Sequence, residues 1–121
     1  MTLEALTWSC AVCSKPVSDG AGFLTVDMPS VQEVDRAWDD FKRSHPRGYE
    51  VAELADMPEP VPWRAIHEAC EVEGSTYSIE IAKVRTHAGL LKWTAHLMGK
   101  RWLSSTNWAD VIDHQARGQH L

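Results

Sequence analysis

The stretch WSCAVCSK, residues 8–15, places Cys10 and Cys13 three positions apart close to the start of the chain. A second pair, His67 and Cys70, has the same spacing within WRAIHEAC. Side chains three apart in one turn point the same way, so each pair can supply two corners of a tetrahedral metal site. Because the two pairs use every cysteine of the chain, we predict that these four residues bind one Zn²⁺.

Two other interpretations of the cysteines stay open at this stage. Cys-x-x-Cys is also the spacing of thioredoxin-like redox pairs, although those usually have Gly-Pro where this chain has Ala11-Val12. The cysteines could also be ordinary buried thiols. The two pairs are separated by 53 residues, more than in compact zinc fingers, so only the fold can bring them together.

Length and composition indicate one small domain. The chain has 121 residues, is 44% hydrophobic and contains six tryptophans, most of which we expect in the core because each buries a large area. A pair of exposed tryptophans would instead be a binding anchor.

No apolar run reaches the ~20 residues of a membrane helix, and residues 1–8 do not resemble a signal peptide. We expect a cytoplasmic protein with no membrane and no small-molecule cofactor, in which cysteines favour metal ligation over disulfides.

An α+β fold is predicted, with a short antiparallel sheet and about three helices. Asp19-Gly20 is a turn signal and predicts a hairpin after the first cysteine pair, with a strand over 23–27. Ser30 and Glu33 have the spacing of a capping box and begin a helix over 30–44. The residues of this helix that recur at helical spacing are Val31, Val34, Trp38 and Phe41.

One strand and two helices are predicted in the second half of the chain. The strand is STYSIEIAKV, in which apolar and polar residues alternate. Thr86 caps the first helix, which ends near Gly99, and Ser105 or Thr106 caps the second. The residues expected to pack inward from these helices are Leu90, Leu91, Trp93, Thr94, Leu97 and Met98, followed by Trp108, Val111 and Ile112.

The order of these features resembles a treble-clef zinc domain, in which a Cys-x2-Cys knuckle precedes a hairpin and a final ligand pair enters a helix. The resemblance implies that Cys10 and Cys13 form the knuckle and that His67 and Cys70 lie on the helical turn. It covers residues 8–72. In its compactness and tryptophan content the chain is also similar in style to small proteins of actinobacteria and their phages.

We therefore predict a single domain over residues 1–121 that has two parts. The zinc-binding part, 8–72, contains an inserted helix at 30–44 and a proline-rich surface loop at 50–62. The remainder, 75–118, is the strand followed by the two helices.

The ligand set favours a structural metal and a non-enzymatic protein. Four protein ligands close a zinc site, whereas a catalytic zinc normally keeps one position for water. The H-E-x-x-H motif of zincins and the H-x-E…P-C-x-x-C motif of zinc deaminases are missing from the sequence. Residues 14–44 contain no histidine, whereas nucleases of the His-Asn-His type place their catalytic histidine on the hairpin.

Charge suggests two kinds of partner. Residues 1–74 carry six Lys/Arg against fourteen Asp/Glu, which favours a regulatory or partner-binding role towards an unknown basic protein. The acidic residues concerned are Asp35, Asp39, Asp40, Glu50, Glu53, Asp56 and Glu59.

The alternative hypothesis is nucleic-acid binding through the second half of the chain. Residues 75–121 carry six Lys/Arg against three Asp/Glu, and cations on one face can contact phosphates. Lys92, His96 and Lys100 are spaced four apart and are predicted to share a helix face. The candidate residues are Lys83, Arg85, Lys92, Lys100 and Arg101.

Overall fold

A three-stranded antiparallel sheet organises the chain, which confirms the predicted α+β class. The central strand is β1 (Gly22–Asp27), and its neighbours are β2 (Arg64–His67) and β3 (Thr76–Glu80), in the order β2-β1-β3. The structure is a computed structural model, and the residues it describes are 5–46, 48, 57–71 and 74–118.

Strand register determines which face of the sheet is buried. Leu24 of β1 lies opposite Ala65 of β2 and Ile79 of β3, and all three side chains are buried. Because side chains alternate along a strand, Thr25 and Arg64, which also lie opposite each other, occupy the other face. The core therefore lies on one side of the sheet.

The hairpin predicted directly after the first cysteine pair is wrong in its pairing. β1 follows the Asp19-Gly20 turn, where Gly20 has a φ of 77°, but its partners are β2 and β3. Residues 28–63 therefore lie between the two strands of the first pair. The turn signal was correct, but a turn does not specify a strand's partner.

The first helix, α1 (Met28–Ser44), begins earlier than predicted. Its N-cap is Asp27, whose carboxylate accepts a hydrogen bond from the Ser30 amide at 3.0 Å. The predicted capping box at Ser30 and Glu33 is therefore wrong. Pro29 belongs to the first turn, where its missing N–H costs nothing. Of the predicted apolar face, Val31 and Phe41 are buried, whereas Val34 and Trp38 are partly buried.

The strand of the second half is shorter than predicted. β3 ends at Glu80, and Ile81–Val84 forms a 3-10 turn. The alternation still holds, because Ile79 and Ile81 are buried while Ser78 and Glu80 are exposed.

The two C-terminal helices are α2 (His87–Leu97) and α3 (Trp108–Ala116). Thr86 caps α2 as predicted, accepting a hydrogen bond from the Gly89 amide at 3.1 Å. The N-cap of α3 is Asn107, so the predicted cap at Ser105 or Thr106 is wrong. Ser105 ends a preceding 3-10 turn instead. No helix among the described residues is both long and apolar enough to cross a bilayer.

The inward face predicted for α2 was too broad. Leu90 and Leu97 are buried and Trp93 is partly buried, but Leu91 is 68% exposed and Met98 is 73% exposed. These two side chains project from a different side of the helix, because residues one apart are separated by 100°.

Tryptophans supply much of the core, as predicted. Trp8, Trp63 and Trp108 are at most 3% exposed. Their polar N–H groups are also satisfied, since Trp8 Nε1 donates to the Val84 carbonyl at 3.1 Å and Trp63 Nε1 donates to Thr106 Oγ1 at 2.9 Å. Trp38, Trp93 and Trp102 are partly buried.

Gly22 is where β1 passes closest to β2 and allows a direct test of the packing. A Cβ there would lie 2.1 Å from the Ile66 carbonyl oxygen and 2.9 Å from His67 Cα. Because both are backbone atoms, we expect Gly22→Ala to lower the free energy of unfolding by about 3 kcal/mol, the upper part of the overpacking range. Gly74→Ala is the matched control, because its Cβ would meet nothing within 4 Å. Urea unfolding measures both; equal stabilities would contradict the packing.

Candidate metal centre

The structure brings the two predicted ligand pairs together. One potential ligand atom from each of Cys10, Cys13, His67 and Cys70 lies within 4.8 Å of all the others. In a tetrahedral zinc site with Zn–S bonds of 2.3 Å, sulfur atoms are about 3.8 Å apart. Small side-chain movements are enough to reach that geometry, so the cluster can hold a metal ion such as zinc.

The first pair lies in a tight loop closed by backbone hydrogen bonds, which we call the knuckle (residues 8–17). Ser9 and Pro16 form an antiparallel bridge, and the Cys10 amide donates to the Lys15 carbonyl at 2.9 Å. Ser14 has a φ of 64°, in the left-handed region, and its amide donates to the Cys10 carbonyl at 2.9 Å. The loop thus turns both thiols in one direction.

The knuckle lies along the outer edge of β2. The Ala11 amide donates to the Ala65 carbonyl at 2.8 Å. The amides of Val12 and His67 both point at Cys10 Sγ, at 3.4 Å and 3.5 Å. Amide donors of this kind stabilise a thiolate. The contact with β2 therefore prepares Cys10 for metal binding.

His67 is held in the orientation that a ligand needs. Its Nε2 lies 2.9 Å from the Pro16 carbonyl oxygen. Because a carbonyl only accepts, Nε2 is the protonated nitrogen of the neutral ring. Nδ1 is then the acceptor nitrogen, and its lone pair faces Cys13 Sγ at 3.2 Å. A ligating histidine typically donates its other N–H to a carbonyl in this way.

The second pair spans the end of β2 and a short 3-10 turn, Glu68–Cys70. The turn begins where the Glu68 amide donates to the Ala21 carbonyl at 2.9 Å. The expectation that both His67 and Cys70 lie on a helical turn holds for Cys70 alone, because His67 is the last residue of β2 and the turn has only three residues. The turn carries Cys70 back towards His67.

The thiols of the cluster differ in their acidity. Burial alone would raise the pKa of Cys10, but hydrogen bonds from the amides of Cys13, His67 and Val12 outweigh it and lower that pKa to about 6. Burial, with the hydrogen bonds and negative charge of Cys10 and Cys13, raises the pKa of Cys70 to about 11. Without a cation the cluster therefore cannot hold all its sulfurs as thiolates, and a bound metal ion would supply the missing positive charge.

The cationic residues proposed for nucleic-acid contact lie in different settings. The Arg85 side chain pairs with Asp19 at 2.9 Å and donates to the carbonyls of Leu6 and Val17. Those bonds hold the N-terminal segment and leave Arg85 little freedom to meet a ligand.

Of the other four cations, Lys83, Lys92 and Arg101 are exposed and Lys100 is partly buried. Lys83 Nζ lies 5.8 Å from the centroid of the Trp93 ring, and Lys100 Nζ lies 5.7 Å from that of Tyr77. Because α2 ends at Leu97, the prediction that Lys100 extends the helix face of Lys92 and His96 is wrong.

The predicted acidic face is described only in part. Asp39, Asp40 and Glu59 are exposed, and Asp40 pairs with Arg43 at 2.9 Å. Asp35 is partly buried and accepts a hydrogen bond from Ser105. Glu50, Glu53 and Asp56 lie outside the described residues.

Sequence patterns missed the backbone groups that surround the ligands. The Pro16 carbonyl and the amides of Val12 and His67 orient the site. Because nearly every residue has the same peptide group, the sequence does not indicate which of them will lie beside the cysteines. Only the spacing of Cys10 and Cys13 indicated a knuckle that could bring such groups close.

Comparisons of the chain with protein-family models, with curated proteins and with solved structures gave no match. The site is therefore interpreted from its own geometry.

Metal affinity should fall as the pH falls. Since Cys70 keeps its proton up to about pH 11 in the metal-free cluster, binding must displace that proton, and affinity drops about ten-fold per pH unit. The drop should steepen below a pH of about 6, where Cys10 also becomes protonated. Titration with Co²⁺, followed by thiolate-to-cobalt absorption, measures this. An affinity that stays constant between about pH 7 and about pH 9 would exclude Cys70 as a ligand.

Proposed function

We propose that the protein is a zinc-stabilised binding module without catalytic activity, in which Cys10, Cys13, His67 and Cys70 hold one structural Zn²⁺. The observation that carries the proposal is the approach of their four ligand atoms to within 4.8 Å of one another. Three sulfurs and one imidazole nitrogen form a soft donor set that suits zinc, and Cys3His is a standard set for structural zinc.

The order of elements around the cluster matches what a treble clef with two modifications would have. The knuckle comes first, the antiparallel pair β1 and β2 follows, and the last ligands occur directly after β2. Helix α1 is inserted between the strands, and the closing helix is reduced to the 3-10 turn Glu68–Cys70. This order supports the treble-clef interpretation.

The closed ligand set supports a structural role for the zinc. With four protein ligands, no coordination position is left for water or substrate. The site joins the knuckle to the end of β2, two segments that are far apart in the chain. Zinc binding would supply on the order of 10 kcal/mol to that closure, comparable to the entire stability of a small domain.

Replacing one ligand tests this role. We expect Cys70→Ser to weaken zinc binding by at least about 100-fold, more than the loss of an outer hydrogen-bond partner, and to lower thermal stability. Ala69→Ser is the matched control, because it places the same side chain at an exposed neighbouring position of the turn. Zinc content by mass spectrometry and thermal unfolding measure both effects. An unchanged zinc affinity of Cys70→Ser in competition with a chelator would contradict the assignment.

Nucleic-acid binding is the second candidate, and one observation favours it. From Ile81 to Ala109 the chain contains five Lys/Arg and no Asp or Glu. The exposed cations of this segment, such as Lys92 and Arg101, could meet phosphates.

Salt dependence tests that second candidate. If it holds, a labelled duplex of about 20 base pairs should bind at low salt, lose affinity steeply as salt rises, and bind more weakly to Lys92→Ala. Asp39→Ala, which removes an exposed charge from α1, serves as the control. Failure to bind in fluorescence anisotropy at about 20 mM salt would exclude this candidate.

A further inference from the structure

Helix α2 presents an apolar stripe that no described residue covers. Ala88, Leu91, Ala95 and Met98 follow one another at helical spacing and are all exposed. Leu91 and Met98 account for two of the three large hydrophobic side chains exposed among the described residues. The stripe extends about 15 Å along the helix axis.

The stripe is separate from the side of α2 that stabilises the fold. Leu90 and Leu97 belong to the buried core. On a helical wheel Leu97 lies at least 100° from every residue of the stripe. Packing therefore does not explain why Leu91 and Met98 are apolar, and exposed apolar surface of this kind often marks an interaction site.

Positive charge borders the stripe along one flank and at one end. Lys92 lies along the flank, and Arg101 follows the C-terminal end of α2. Lys83 does not contribute, because its Nζ lies over the ring of Trp93, about 140° or more around the helix from every residue of the stripe. Within the described residues no ion pair involves Lys92 or Arg101. Since the chain has no carboxylate between Glu80 and Asp110, this charge is not neutralised from within the segment.

A second copy of the chain fits this surface poorly. In an antiparallel pair of α2 helices joined along the stripe, the flank with Lys92 would meet the same flank of the other copy, and the two lysines would repel. Four side chains on one short helix also fall well short of the ~800 Å² per partner that a stable dimer needs.

We propose that the stripe and its cationic border bind an acidic amphipathic helix of a partner protein. The partner would place an apolar face on Leu91 and Met98, and its side chains would fit over the small Ala88 and Ala95. Its carboxylates would lie beside Lys92 and Arg101. The inference rests on the proposed binding function and assigns it a surface.

The probe is a capped, fluorescein-labelled peptide of about 14 residues, long enough to match α2. Leucine and alanine form one face of its helix and glutamate occupies the flanks. A second peptide carries lysine in place of each glutamate, and a third scrambles the first so that its apolar residues no longer share a face. Binding to the full, zinc-loaded chain is measured by anisotropy at about 50 and about 300 mM NaCl, because only the electrostatic part is screened.

We expect the acidic peptide to bind saturably and the lysine peptide at least about ten-fold more weakly. Replacing Leu91 and Met98 together by serine should weaken binding at least about ten-fold, as for central apolar contacts. Lys92→Glu should weaken it about three-fold, with the larger effect at low salt. Ala37→Ser is the control, because it changes an exposed apolar side chain to serine on a different helix, α1, and should leave affinity unchanged.

Several results would overturn the inference while leaving the zinc assignment intact. One is no saturable binding by a folded, zinc-loaded chain, and another is equal affinity in the Leu91, Met98 double variant. Equal binding of the scrambled peptide would show charge attraction alone. Competition by a DNA duplex that depends on Lys92 would assign the surface to nucleic acid, and concentration-dependent dimers abolished in the double variant would assign it to a second copy. Failure of the proposed function itself would appear separately, as a chain without zinc.

Discussion

The contact between the knuckle and the outer edge of β2 is the constraint on which the rest of the structure depends. A strand edge has unpaired peptide groups that must find partners when they are buried. The Ala11 amide donates a hydrogen bond to the Ala65 carbonyl, and Cys10 Sγ accepts one from the His67 amide. The knuckle thus occupies the position that another strand would take. The same contact brings Cys10 and Cys13 beside His67 and Cys70.

Two side chains connect the knuckle and the residues before it to the turn after β3 by hydrogen bonds. Trp8, fully buried at the start of the knuckle, donates through its indole N–H to the Val84 carbonyl after β3. From that turn, the Arg85 guanidinium donates hydrogen bonds to the carbonyls of Leu6 and Val17. The N-terminal segment is therefore fixed to both β2 and the turn after β3. Because these contacts join distant parts of the chain, disruption of the cluster of Cys10, Cys13, His67 and Cys70 should loosen the packing around Trp8 as well as the knuckle.

The sequence was most informative where chemistry and spacing coincide. The clustering of Cys10, Cys13, His67 and Cys70 was predictable because few other roles use cysteine and histidine at that spacing. The cap at Thr86 was predictable because a cap is local. The pairing of β1 with β2 was not, since nothing in a six-residue strand specifies a partner beyond an inserted helix. The sequence prediction missed the cap at Asp27 because it began the helix after Pro29. Proline fits the first helical turn, so the helix can begin before it.

The error on α2 has a different origin and bears on function. Hydrophobic periodicity indicates which residues are apolar, but the width of a core-facing stripe depends on what packs against the helix. α2 contacts the core through Leu90 and Leu97, so the apolar residues on its other side were assigned to a core that does not reach them. Conflict between a local pattern and the fold is expected at functional surfaces. Leu91 and Met98 are where that conflict occurs in this protein, on a segment whose charge is opposite to that of the whole chain.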